Sequence, residues 1–228
     1  MKNIITLAIL SLCMIPLATA QNDCNMYYPL NEGATFQLTS YDKKNKPTAV
    51  LDYKVLKIAN SAAGKVGTIY GTVKDEKGKM LGELEYDVIC KDNKLSVDYQ
   101  SMLSPQMMEQ FKEMDYEISG TNLDWPNDLS VGMILPDGNM TMKIGMGGMN
   151  MTMTVDQKNR KVIGKEKMTT PAGTFDCYVI TYNTDVKMGI NQTTSSKQWV
   201  SEGVGMVKQE DSQKGKITNT TMLTAISK

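Results

Sequence analysis

Apolar and polar residues alternate along most of this chain with a period of two, and turn residues interrupt the alternation at short intervals. In "ATFQLTSY" Phe36 and Leu38 share one face, and "DKKNKP" then supplies a turn. The next segment, "TAVLDYKV", keeps its apolar residues on one face as far as Val55, and the change of face at Leu56 predicts a bulge. About eleven segments of this kind predict a mainly β protein with a large curved antiparallel sheet or open half-barrel.

One segment has helical spacing instead. In "SPQMMEQFKEM" Ser104 is placed to act as the N-cap and Pro105 occupies the first helical position. The apolar stripe of this segment consists of Met107, Met108, Phe111 and Met114. We therefore predict one short helix over residues 104–114, packed against the sheet, followed by a polar connection at residues 122–138.

The segment "NMTMKIGMGGMNMTMTV" at residues 139–155 has a methionine at almost every second position. Gly147 and Gly148 are typical of a two-residue hairpin turn, and pairing across them places every apolar residue on one face. The predicted pairs are Met146 with Met149, Ile144 with Met151, Met142 with Met153 and Met140 with Val155. Lys143 with Thr152 and Thr141 with Thr154 fall on the opposite, polar face.

Three uses of this apolar face remain open from the sequence. It could be ordinary core packing, since the chain has 19 methionines in all. It could be an adaptable apolar ligand surface, because the methionine side chain is flexible and polarizable. It could also hold Cu(I) through Met142, Met146, Met149 and Met153, although no histidine accompanies them. The predicted ligand-binding residues are Met140, Met142, Met146, Met149, Met151 and Met153.

The N-terminus "MKNIITLAILSLCMIPLATA" has the pattern of a secretory signal peptide. Lys2 precedes an apolar run, and Ala18-Thr19-Ala20 matches the A-x-A cleavage pattern. Lipid attachment at Cys13 is disfavoured because the bulky Leu12 precedes it. We predict a signal peptide at residues 1–20 and a single antiparallel β domain at residues 21–228, secreted or periplasmic and without a membrane span.

Charge and composition limit the ligands and reactions that this chain could support. The chain has 25 basic and 25 acidic residues, so it carries no excess charge that would attract nucleic acid or anionic lipid. Arg160 is the single arginine, so the chain has only one side chain suited to bidentate phosphate binding. Because histidine is absent, histidine-based triads and histidine-ligated zinc are excluded. Paired carboxylates or lysine chemistry remain allowed, but no spacing selects them, and we predict no enzyme activity, cofactor or metal.

Cysteine usage fits an oxidising compartment. Removal of residues 1–20 leaves Cys24, Cys90 and Cys177, which predicts one disulfide and one leftover thiol. Cys177 lies within a predicted strand, where a small buried side chain is expected. We predict that Cys24 pairs with Cys90.

Several stretches resemble a known family. "TPAGTFDCYVITY" (170–182), "KQWVSEGVGMVKQE" (197–210), "NDLSVGMILPDG" (127–138) and "CNMYYPLNEGATFQLTSYDKKNKP" (24–47) are similar to exported bacterial proteins of the TapB-like domain-of-unknown-function group. Members of that group resemble LolA/LolB-type lipoprotein-carrier half-barrels in outline. The resemblance rests on Gly173, Trp199, Gly203 and Gly205. It implies an open antiparallel barrel with an apolar interior and no catalytic residues, and lipid carriage only by analogy of fold.

Two functions follow as hypotheses. The first is an exported β-rich binding protein that holds a lipophilic group, a lipid or a lipoprotein acyl chain, in an apolar concavity. The alternative is a non-enzymatic structural or interaction module of the cell envelope, whose sheet face binds a partner protein.

Overall fold

A computed structural model describes residues 27–62, 64–97, 115–146 and 149–227 of the chain. The predicted signal peptide, Cys24 and the predicted helix at residues 104–114 lie outside the described residues. Within the described ranges every named element is a strand. The predicted mainly β fold class is therefore confirmed, whereas the helix stays a prediction. The described part contains no helix that is long and apolar enough to cross a membrane.

The described residues form thirteen strands. They are β1 (Thr35–Asp42), β2 (Pro47–Ser61), β3 (Gly64–Asp75), β4 (Met80–Lys91), β5 (Lys94–Val97), β6 (Asp115–Thr121), β7 (Leu123–Pro126), β8 (Gly138–Met146), β9 (Met149–Thr170), β10 (Gly173–Met188), β11 (Ile190–Ser201), β12 (Gly205–Gln213) and β13 (Lys216–Ser227).

All thirteen strands belong to one sheet, in the order β6-β8-β9-β10-β11-β12-β13-β1-β2-β3-β4-β5-β7. Every neighbouring pair is antiparallel. A flat sheet of this width would hold its edge strands roughly 58 Å apart. Yet the edge strands β6 and β7 are separated along the chain only by Asn122. The sheet therefore curls into a nearly closed, barrel-like form.

The seam of this barrel is closed by the segment that follows β7. Leu135 N donates to Arg160 O at 2.9 Å, and Val162 N donates to Met133 O at 2.9 Å. The segment therefore hydrogen-bonds to β9 beyond Gln157, the last residue of β9 that pairs with β8. Because β7 itself pairs with β5, the chain from β7 to Leu135 links the two sides of the sheet. The predicted polar connection at residues 122–138 thus contains a strand and a strand-like closure.

Arg160 is fully buried at this seam. Its Nη1 atom donates to Asp124 O at 2.9 Å and to Pro136 O at 2.5 Å. Its guanidinium carbon lies 4.8 Å from the ring centroid of Trp125. A buried charge is tolerated when hydrogen bonds and an aromatic face replace its water shell. The single arginine of the chain therefore has a structural role in closing the sheet.

Three clusters of buried apolar side chains fill the space beside the sheet. One is built around Val179, Trp199 and Leu223, a second around Val162 and Ile180, and a third around Val55 and Ile69. Residues 27–34 contribute to all three, because Tyr27, Tyr28 and Leu30 each pack in at least one cluster. Burial of one aliphatic side chain of this size stabilises the fold by about 1.5–3 kcal/mol.

Two irregularities show how the sequence guides the strands. The predicted bulge near Leu56 is confirmed, because the register of β2 and β3 shifts between Val55 and Lys57. Strand β9 runs unbroken through 22 residues, well past Val155, where the predicted hairpin segment ends. At Asn159 the backbone has a φ of 57°, next to a register shift against β10, so the strand bends there instead of ending.

Candidate functional site

The methionine-rich hairpin has the predicted register. Strands β8 and β9 pair Met146 with Met149, Ile144 with Met151, Met142 with Met153 and Met140 with Val155. The polar pairs Lys143–Thr152 and Thr141–Thr154 are also confirmed. Cross-strand partners share a face of the sheet, and the alternation is unbroken on both strands. We call the apolar side of this hairpin, carrying Met140, Met142, Met146, Met149, Met151 and Met153, the methionine face.

Neighbouring strands extend the methionine face into three apolar rows across the sheet. The rows are Tyr116–Ile144–Met151, Ile118–Met142–Met153 and Met140–Val155–Val186. The rows on the opposite side of the sheet are polar and include Glu117–Lys143–Thr152. The division between an apolar and a polar side is therefore maintained over strands β6, β8, β9 and the end of β10.

Exposure differs between the two strands of the methionine face. Met142 is 2% exposed, Met140 and Met153 are half-buried, and Met151 is 45% exposed. The adjacent β10–β11 hairpin ends in Ile190, which is 85% exposed. The backbones of Met146 and Met149 are paired as predicted, whereas their side chains lie outside the described part. The face is thus buried on β8, at Met142 and Ile144, and partly open on β9, at Met151.

The polar side of the same strands is held by ion pairs. Lys143 Nζ lies 3.0 Å from Glu117 Oε2, and Lys158 Nζ lies 3.3 Å from Asp185 Oδ2. The hydrogen bond from Thr193, followed by that from Lys158, lowers the pKa of Asp185 below its usual range. The Lys143–Glu117 pair is solvent-exposed and the Lys158–Asp185 pair is partly exposed, and surface pairs of this kind contribute little to stability. They mark this side of the sheet as the solvated one.

The apolar side does not stay apolar around the whole barrel. On β10, Tyr182 faces the same way as Val186, and its hydroxyl donates to Gln209 Oε1 at 2.9 Å. Gln198 Nε2 donates to the same oxygen at 3.0 Å, and Gln209 Nε2 donates to Asp211 Oδ1 at 2.9 Å. This buried polar network was not predicted. Its only sequence signal is polar residues at alternate positions, which is equally typical of a solvated face.

The described residues line a small cavity and several surface grooves. A cavity of about 110 Å³ is lined by Tyr27, Tyr28, Leu95, Val97, Trp125, Gln198, Val200 and Met206. Larger hollows of about 630, 480 and 380 Å³ are surface grooves with charged or polar side chains in their walls. Tyr27 lines both the small cavity and the groove of about 630 Å³. Burial raises the pKa of Tyr27 to about 12, and nearby Tyr178 and Glu202 add to the shift, so the phenol stays neutral.

The cysteines separate into a bonded and a free residue. Cys177 is free and buried, and burial, followed by the charges of Asp176 and Glu166, raises the pKa of its thiol to about 11. Cys90 is disulfide-bonded. Because Cys24 lies outside the described residues, the predicted Cys24–Cys90 pairing stays a prediction.

Metal ligands are not grouped among the described residues: no three Asp, Glu, Cys or His side chains there are placed to hold an ion. On the methionine face Ile144 and Val155 interrupt the run of thioethers. The predicted absence of a metal, a cofactor and an enzymatic activity stays a prediction.

The family comparison covers most of the chain. The model of the DUF3108-like family matches residues 31–223. No curated protein matches the chain. The narrower resemblance to a TapB-like group and to LolA/LolB-type carriers stays a prediction.

Two solved structures share the fold. One is a protein from Bacteroides fragilis, described as exported and as having a YmcC-like fold, with a TM-score of 0.71 and 21% identity, covering 90% of this chain and 100% of its own. The other is described as a lipoprotein from Parabacteroides distasonis, with a TM-score of 0.71 and 23% identity over the same shares. At this level of identity the comparison establishes the barrel-like fold alone.

Proposed function

The chain belongs to the DUF3108-like family, and from this membership and the geometry of the methionine face we propose that it holds a lipophilic group, a lipid or a lipoprotein acyl chain, on that face. Export of the chain, and its folding as a single domain over residues 21–228, belong to the same proposal. The relatives described as an exported protein and as a lipoprotein support an envelope setting for it.

The observation that carries the proposal is the exposure of Tyr116 and Met151, 39% and 45%, on either side of the buried Ile144 in one apolar row. In this row Met151 is 45% exposed beside the buried Ile144, so the row is covered at its centre and open on β9. Burying such exposed apolar area against an acyl chain is favourable by about 25 cal/mol per Å². Methionine side chains adapt to an irregular or mobile partner, which suits an alkyl chain without fixed shape.

The proposed site is smaller than the apolar concavity predicted from the sequence. The region around Val55, Ile69 and Val179 is filled by core side chains. Its small cavity, about 110 Å³, is well below the roughly 300–1,000 Å³ of typical ligand pockets. We therefore assign the ligand to the methionine face and not to the filled part of the barrel.

The first experiment is native mass spectrometry of the protein purified from its own envelope fraction, followed by solvent extraction. The proposal expects an added mass that extracts as lipid. A bare protein mass from gently purified material would argue against a resident lipid and in favour of a docking role.

A matched pair of variants tests the location. Met151→Glu places a charge on the methionine face, and Met80→Glu places the same charge on β4 at a position that is 46% exposed. With a fluorescent long-chain fatty acid as probe, Met151→Glu should weaken binding about tenfold, a cost of about 1.4 kcal/mol. Met80→Glu should bind like the parent protein. Equal binding by both variants would remove the methionine face as the site.

The second candidate function is docking of another envelope protein. It is favoured by the cross-strand pair Met188 and Ile190 at the β10–β11 tip, where two neighbouring apolar side chains are 51% and 85% exposed. Ile190→Ser should leave fatty-acid binding unchanged and should weaken capture of a protein partner from the envelope fraction. The two functions are thereby distinguished by one substitution.

A further inference from the structure

Gln198 on β11 is a buried side chain whose two polar atoms differ in their surroundings. The residue is 8% exposed. Its Nε2 atom donates to Gln209 Oε1 at 3.0 Å and lies 3.1 Å from Met206 Sδ. Its Oε1 atom is buried and accepts no hydrogen bond from the protein. Because a buried acceptor without a donor is costly, such atoms in folded proteins nearly always have a partner.

A carboxylate fixes the orientation of the Gln198 amide. An ionised carboxylate only accepts hydrogen bonds, so Gln209 directs its Nε2 atom toward Asp211 Oδ1, at 2.9 Å. The Oε1 atom of Gln209 then accepts from the Tyr182 hydroxyl and from Gln198. Turning the Gln198 amide over would place two carbonyl oxygens 3.0 Å apart. The unpartnered atom is therefore an acceptor, and the partner that it requires is a hydrogen-bond donor.

Gln198 lines the cavity of about 110 Å³, whose described wall is otherwise aromatic or apolar. The rings of Tyr27, Tyr28 and Trp125 form part of this wall. The hydroxyl of Tyr28 is hydrogen-bonded to that of Tyr86. A buried water requires roughly two to four polar partners. This wall therefore suits a mostly apolar molecule with one donor better than it suits a cluster of waters.

We propose that the cavity binds a compact neutral molecule, a short-chain alcohol or a five-membered ring with an N–H group, which donates one hydrogen bond to Gln198 Oε1. An engineered cavity of about 150 Å³ can hold benzene, and by proportion 110 Å³ holds about four or five non-hydrogen atoms. A charged ligand is disfavoured, because burial of an unpaired ion in such a wall is costly. None of the described lining residues belongs to the methionine face, so this site does not depend on lipid binding there.

Pyrrole and furan are matched probes of this site. Both are flat five-membered rings of similar size, and only pyrrole has an N–H donor. Pyrrole should bind the protein about tenfold more tightly than furan, because furan leaves Gln198 Oε1 without a partner. Titration followed by the backbone amide shifts of the ¹⁵N-labelled protein measures both dissociation constants. Equal affinities would overturn the proposal, and binding of neither probe would overturn it in favour of a cavity that takes only water.

A pair of variants tests the assignment of the acceptor. Gln198→Met removes Oε1 with little change in side-chain length, and Gln209 keeps the Tyr182 hydroxyl as a donor. Pyrrole and furan should therefore bind Gln198→Met equally. The control is Gln192→Met, at an exposed position of the same strand, which should keep the tenfold preference. A preference for pyrrole that survives in Gln198→Met would overturn the role of this residue.

A second measurement uses the unchanged protein and does not depend on the folding of Gln198→Met. Intermolecular nuclear Overhauser effects from the pyrrole ring should reach the Val200 methyl groups and the ring protons of Tyr28, because both side chains line the cavity. Effects confined to residues outside the cavity would overturn the proposal.

Discussion

The filled part of the barrel and the methionine face have the same alternation of apolar and polar residues but differ in what covers the apolar side. Val55, Ile69 and Val179 are fully buried in side-chain clusters drawn from many strands. On the methionine face, burial falls from Met142 to Met151 within one hairpin. An alternating strand therefore predicts an apolar side but not a covered one. The filled part therefore accounts for stability, and the proposed binding site is the methionine face.

The largest expected effect of a substitution is at the seam of the filled part. Arg160→Ala leaves the Asp124 and Pro136 carbonyls without their donor and removes the cation from the Trp125 ring. We expect the free energy of unfolding to fall by about 4 kcal/mol. Urea denaturation followed by tryptophan fluorescence measures this change. Arg160→Lys keeps the charge but loses the planar guanidinium, so it should recover only part of the loss. A loss below about 1 kcal/mol for Arg160→Ala would show that the seam is held by the backbone bonds alone.

The second largest expected decrease in the free energy of unfolding is at a core residue. Ile69 pairs with Val55 and Tyr86 and is fully buried, so Ile69→Ala should cost about 3 kcal/mol through lost burial and the cavity left behind. Leu81→Ala is the control, because Leu81 is exposed on β4 and should change the free energy of unfolding by less than about 0.5 kcal/mol. Similar losses for the two variants would mean that the cluster around Ile69 is loosely packed.

The buried thiol gives the filled part a pH dependence. The pKa of the Cys177 thiol is about 11 in the folded chain against an ordinary value of 9.0, so its stabilising contribution is fully present below pH 9 and is lost as the pH rises through 11. Between pH 8 and pH 10.5 this group should remove about 2 kcal/mol from the free energy of unfolding. Urea denaturation at both pH values should show that the free energy of unfolding of Cys177→Ala decreases by about 2 kcal/mol less than that of the parent protein. The buried tyrosines titrate in both proteins and cancel in the comparison. An equal decrease in the free energy of unfolding of both proteins would indicate that the Cys177 thiol is in contact with solvent.

The hairpin register was predictable because two signals agree. Gly147-Gly148 fixes the turn, and strict alternation on both sides of it leaves one register that places every methionine on the same face. The bulge near Leu56 was predictable for the same reason, since a single change of face requires one extra residue.

Other parts of the fold depend on contacts that no local pattern contains. Strand β6 has only two apolar residues, and β7 contains Pro126, so their strand state comes from pairing with β8 and β5. The role of Arg160 depends on the Asp124 and Pro136 carbonyls, which are more than twenty residues away along the chain. The buried polar network around Gln209 resembles a solvated face in sequence, because only the curling of the sheet covers it.

The smallest expected effect on stability is at Met151, the exposed residue of the methionine face. A substitution there distinguishes the methionine face from the filled part of the barrel most directly. Met151→Ala removes a side chain that is already 45% exposed, so the free energy of unfolding should change by less than about 0.5 kcal/mol. Met142→Ala removes a buried side chain from the neighbouring row and should cost about 2 kcal/mol. Binding of the fluorescent fatty acid should weaken in Met151→Ala despite its unchanged stability, because the lost thioether is an available contact surface and not part of the core. If Met151→Ala instead lost stability and kept its binding, the methionine face would be an extension of the core, and the ligand would have to be sought elsewhere.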